Sequence, residues 1–186
     1  MKLIPSFATL AIALSSTPFI HADEMDRLTK ITFSGPVEVP GKILPAGKYV
    51  FKLLDDPAER NVVQIYNEDQ NELEVQFLAI SDRKMHLSGK TVIQFAERPA
   101  GHPEAIKAWF YPGDQDGLAF VYPHDRAVQI AKESGEPVYS THSDYSGYSK
   151  KHLKSGDADS TSMKHSDITT VQPDGSETGS QTTGRH

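Results

Sequence analysis

The sequence predicts an all-β fold: an antiparallel β-sandwich or barrel of about seven or eight short strands, one short C-terminal helix and a disordered tail. Three observations predict it. Apolar and polar residues alternate with period two in short runs. Clusters of Gly, Pro, Asn and Asp separate those runs at short intervals. The composition then changes abruptly near Tyr139.

The first run is Lys30 to Phe33, and Ser34-Gly35-Pro36 turns it into Val37-Glu38-Val39. Leu44-Pro45-Ala46-Gly47 is a turn that launches Lys48 to Leu54. There Tyr49, Phe51 and Leu53 share one face, and Val50, Lys52 and Leu54 the other. Val62 to Tyr66 and Leu73 to Ile80 are joined by about five polar residues, the signature of a hairpin. In the returning strand Val75, Phe77 and Ala79 point inward while Glu74 and Gln76 point out. Thr91 to Phe95 follows the Ser88-Gly89 turn. Ile106 to Tyr111 and Ala119 to Tyr122 form a second hairpin around Pro112 to Gly117. A helix follows Pro123-His124-Asp125, with Asp125 as expected N-cap and Ala127, Ile130 and Ala131 as its buried stripe. Gly135 and Pro137 stop it.

The ends read differently. Residues 1–22 carry the marks of a secretory signal peptide: Lys2, an apolar stretch from Leu3 to Ile20, and cleavage after Ala22. Pro5 and Ser15 to Pro18 interrupt that stretch, so it makes a poor membrane span, and no other run is long enough. The mature form is expected to carry no membrane span and to be periplasmic or secreted. Residues 23–139 form the predicted β-rich globular domain. Residues 140–186 hold only Leu153, Met163, Ile168 and Val171 as aliphatics. So little apolar surface does not offset a backbone ordering cost of roughly 1–2 kcal/mol per residue, and the segment is expected to be disordered.

Cysteine is absent, so the domain has neither disulfides nor thiolate ligands and folds on its core alone. The formal net charge is −6 and becomes −7 when Lys2 leaves with the signal. An acidic chain has no basic surface to release counterions from nucleic acid, and nucleic acid is not an expected partner.

Pro36-Val37-Glu38-Val39-Pro40-Gly41, Leu44-Pro45-Ala46-Gly47-Lys48-Tyr49-Val50-Phe51 and Arg60-Asn61-Val62-Val63-Gln64-Ile65 form a connected pattern. Glu97-Arg98-Pro99-Ala100-Gly101, Trp109-Phe110-Tyr111-Pro112-Gly113 and Phe120-Val121-Tyr122-Pro123 extend it. The pattern resembles a family of short exported bacterial proteins of unknown function, over about Leu28 to Ala131. The resemblance implies a single exported domain and assigns no site.

Chemistry-bearing residues are few. Asp114-Gln115-Asp116-Gly117 offers two carboxylates around one turn, a minimal feature for a hard cation, although Asp and Gly are also what a hairpin turn selects. Trp109, Tyr111 and Tyr122 lie on neighbouring strands and are the expected ligand-binding aromatics if they face solvent, or core if they do not. His102, beside Glu104, and the pair His124 and Asp125 are the candidates for acid–base catalysis, yet no nucleophile elbow or metalloprotease motif accompanies them. His142, His152, His165 and His186 match no metal-ligand spacing. No cofactor is implied.

The expected function is therefore a non-enzymatic binding or interaction module of the cell envelope, with a glycan or a protein as partner. Its binding face would be the aromatic strands or an unpaired edge strand. The alternatives are a structural or stress-related envelope component without a small ligand, and a small hydrolase using a His/carboxylate pair.

Overall fold

The computed structural model describes residues 28–54, 62–83, 89–113, 116–142 and 167–182. Its strands in chain order are β1 (Leu28–Phe33), β2 (Val37–Val39), β3 (Lys42–Leu44), β4 (Gly47–Leu53), β5 (Val62–Asn67), β6 (Leu73–Arg83) and β7 (Val92–Ala96). There follow β8 (Glu104–Phe110), β9 (Asp116–Phe120), β10 (Tyr122–Pro123), helix α1 (His124–Ser134), β11 (Val138–Thr141), β12 (Asp167–Val171) and β13 (Glu177–Thr182). The all-β prediction holds, with thirteen strands among the described residues rather than seven or eight.

Nine strands form one sheet in the order β1-β4-β5-β6-β9-β8-β2-β3, with β7 on β8. The expected hairpins are present: β5 pairs antiparallel with β6, and β8 with β9. One pairing in this sheet departs from the antiparallel expectation. β2 runs parallel to β8, Val37 opposite Glu104 and Glu38 opposite Ala105. A strand has two edges, so β7 lies along one edge of β8 while β9 and β2 share the other.

Alternation sorts side chains between two cores. Tyr49, Phe51, Leu53, Val75, Phe77 and Ala79 enter the main core, where Phe77 meets Phe120 with ring centroids 4.5 Å apart. Each fully buried large side chain contributes about 1.5–3 kcal/mol. On the opposite face Leu78, Ile80, Ala108, Phe110 and Ala119 form a second core. Gln76 does not face solvent as expected. It is buried opposite Gln64, whose Nε2 donates to its Oε1 at 3.1 Å, while the Gln64 Oε1 accepts from the Tyr66 hydroxyl at 3.0 Å.

The helix starts two residues earlier than predicted. Pro123 takes the N-cap position without a side-chain cap bond, and Asp125 lies exposed in the first turn, where a carboxylate suits the helix dipole. Gly135 ends it at φ 72°, its N–H donating to Ala131 O at 2.9 Å, as its place in the sequence predicts. Ala127, Ile130 and Ala131 are buried in the main core.

The expected boundary at Tyr139 is not where the β structure ends. β10, β11, β12 and β13 form a second, four-stranded sheet built largely from the segment expected to be disordered. Strand residues three apart point to opposite faces. Ile168 accordingly enters the second core and Val171 the main core, and two aliphatics without apparent period bury in two places. Residues 143–166 and 183–186, the signal segment with Ala22, and Asp114 lie outside the described residues.

At Gly117 an added Cβ would meet the buried Phe110 ring at 2.4 Å from Cδ1, whereas at Gly35 it would meet nothing within 4 Å. Gly117→Ala is expected to destabilise by about 1–3 kcal/mol, and Gly35→Ala by less than about 0.5 kcal/mol. Urea denaturation of both variants measures the contrast.

Candidate functional site

A buried charge cluster lies where β2, the β7–β8 loop and α1 meet. The Glu38 carboxylate on β2 is buried, and Arg98 on the loop has a side chain 0% exposed. Arg98 Nη2 lies 2.9 Å from Glu38 Oε2, and its Nη1 lies 3.3 Å from Glu133 Oε2 on α1. Arg126, also on α1, grips Glu38 in a fork: Nε donates to Oε1, and Nη2 to Oε2 at 2.6 Å. Two guanidiniums thus face two carboxylates. Tyr122 adds a hydroxyl that contacts Ile106 O at 2.8 Å and Glu38 O at 3.1 Å. Burial first, and then the Glu38 carboxylate, push the Tyr122 phenol well above its ordinary value of 10.

The same arginine fixes the wall of a cleft. Arg98 Nη2 donates to Pro103 O, so the loop carrying His102, Pro103 and Glu104 is tied from beneath. Above it opens a cleft of about 650 Å³ between the β1–β2 turn and this loop. Half-buried Phe95 and buried Phe33 supply its apolar part, and Thr32, Ser34, His102 and Glu104 its polar rim. Phe33 and Phe95 meet edge to face at 6.5 Å, which holds the Phe95 ring in place.

The predicted site residues scatter. Trp109 and Tyr122 are each 1% exposed and belong to the main core, Trp109 edge-on to Phe51 at 5.9 Å. Tyr111 is half-buried against the same core. The expected exposed aromatic face is therefore absent among the described residues, because alternation turns both large rings inward. Asp116 is exposed at the start of β9. His102 is exposed on the cleft rim, with Nδ1 3.8 Å from Glu133. His124 opens α1 on the second sheet and does not join His102. Its carboxylate neighbour is Glu177, 3.2 Å from Nδ1, rather than Asp125. His142 stacks on His124 with ring centroids 4.1 Å apart. Of the edge strands named as an alternative surface, β3 carries Ile43, 52% exposed.

Sequence reasoning passed over Glu38, Arg98, Arg126, Glu133 and Glu177. Glu38 sits in a Val-Glu-Val alternation that places it on the face opposite its neighbours, where nothing local marks it as buried. A signal did exist on the helix: Arg126 and Glu133 are seven residues apart and share one face. Compared with known protein families, curated proteins and solved structures, the chain finds no match.

Removing one member of a buried ion pair leaves the other uncompensated. Glu38→Gln is expected to cost about 3–5 kcal/mol, and Glu38→Gln combined with Arg98→Met less than the sum of the single changes. A double-mutant cycle by denaturant unfolding checks this. Tyr122 has a folded value raised above its unfolded one, so its contribution is complete below about pH 10 and is lost as pH rises further. Tyr49 and Tyr66 are raised by burial in the same direction. Tyrosine absorbance at alkaline pH should show Tyr122 ionising only with unfolding, and Tyr122→Phe should flatten the loss of stability above pH 10.

Proposed function

We propose that this chain is an exported protein, periplasmic or secreted, whose β-domain is a non-enzymatic binding module of the cell envelope and a member of the exported family it resembles. The observation that carries the binding reading is the cleft held by Arg98. Its chemistry suits a glycan: the half-buried Phe95 ring for stacking, and hydroxyl, imidazole and carboxylate groups around it for hydrogen bonds. A wall already fixed in the free protein lowers the ordering cost of binding. The signal-like pattern of residues 1–22 supports export.

A small hydrolase is the second reading, favoured by the His102–Glu133 approach on the rim of the same cleft. A base oriented by a carboxylate is half of a catalytic dyad.

Thermal shift of the mature chain, Asp23 to His186, against envelope sugar fragments separates these readings. A ligand at a hundredfold excess over its Kd stabilises by about 2.7 kcal/mol, which is several degrees in Tm. Binding is expected to be lost in Phe95→Ala, with no turnover of the fragment. Turnover abolished by His102→Ala would favour the hydrolase, and a flat panel a structural component without a small ligand.

A further inference from the structure

We propose that His124, His142 and Glu177 form a binding site for a divalent transition-metal cation of the zinc type, which ties the C-terminal hairpin to the start of α1. The site lies on the second sheet and is independent of the cleft.

The fold brings the two imidazoles together by register. β10 and β11 are parallel, with Tyr122 opposite Ser140 and Pro123 opposite Thr141. The next residue on each side is His124 and His142, and the rings stack at 4.1 Å with their planes 21° apart. Glu177, the first residue of β13, reaches both. Its Oε1 lies 3.2 Å from His124 Nδ1 and 3.1 Å from His142 Nε2, and its Oε2 lies 3.2 Å from the same Nε2. One ligand atom from each residue falls within 4.8 Å of the others.

The two imidazole-to-carboxylate separations, 3.2 and 3.1 Å, match what a small cation requires. Tetrahedral ligands at about 2.0–2.1 Å from zinc stand roughly 3.3–3.4 Å from one another. Two imidazole nitrogens and one carboxylate oxygen are a borderline donor set, suited to zinc and its transition-metal neighbours rather than to calcium or magnesium, which take oxygen throughout. Three protein ligands also leave a position for water or an external ligand.

Two further observations favour a cation over a plain His–Glu contact. His124 Nδ1 is buried and makes no hydrogen bond, despite lying 3.2 Å from the carboxylate, so the nitrogen lacks the partner that a buried polar atom requires. A metal ion would supply it. The Thr169 hydroxyl on β12 bonds the Glu177 carboxylate, the kind of outer contact that orients a metal ligand.

Binding would join α1, β11 and β13 at one point. The segment between His142 and Glu177 is long, and a clip that closes it should favour the docked hairpin over the detached one.

The mature chain, stripped with chelator, is titrated with zinc ion alone by calorimetry and with cobalt ion by visible absorption. One ion per chain is expected, together with a rise in Tm and tetrahedral cobalt bands. His142→Ala and Glu177→Gln, both at exposed positions, should each weaken binding at least tenfold and abolish the cobalt bands. Their metal-free melting checks that the fold is retained. The combined His152→Ala, His165→Ala and His186→Ala variant should bind as the parent does. Absence of zinc binding, binding unchanged in His142→Ala and Glu177→Gln, or binding lost in the triple variant would each overturn the assignment.

Discussion

A carboxylate removed from water must find positive partners, and Glu38 finds two guanidiniums. That requirement links a strand, a loop and a helix that lie far apart in the chain. Glu38 lies on a three-residue strand, Arg98 in a loop, and Arg126 on a helix of a different sheet's neighbourhood. Short strands and loops have little apolar area with which to fix their own positions. The charges supply direction instead, because a guanidinium fork accepts a carboxylate in few orientations. The loop from Arg98 to Glu104, and the cleft above it, take their shape from this constraint.

The second sheet depends on packing of another kind. It begins with two residues of β10 and continues through segments poor in apolar side chains. Its anchors are Val138, Ile168 and Val171, all buried against the large sheet or α1. Backbone pairing between β11, β12 and β13 satisfies the polar groups that such sparse packing would otherwise leave exposed to competition from water. The same pairing brings His142 beside His124, so the candidate cation site is a by-product of the sheet's register.

Aromatic residues act here as structure rather than as a recognition face. Phe51, Phe77, Trp109 and Phe120 form a connected group of edge and tilted contacts. Tyr122 crosses into the charge cluster through its hydroxyl, so the apolar core and the ion pairs share one residue. Half-buried rings remain at Tyr66, Tyr111 and Tyr139 and, at the cleft, at Phe95.

The local pattern alone determined much of the molecule. Alternation located β4, β5, β6, β8 and β9, and the Gly135 stop and the Ala127, Ile130 and Ala131 stripe located α1, because side-chain period and turn chemistry are properties of neighbouring residues. The absence of cysteine excluded thiolate ligands at once. Tertiary structure decided the rest. Whether Trp109 and Tyr122 face water, whether Glu38 is solvated, and whether Ile168 and Val171 have a core to enter depend on which strand lies beside or above them. The parallel contacts of β2 with β8 and β10 with β11, and the approach of Glu177 to two histidines, join residues distant in the chain. No period or spacing encodes such meetings, since they follow from the register of many strands at once.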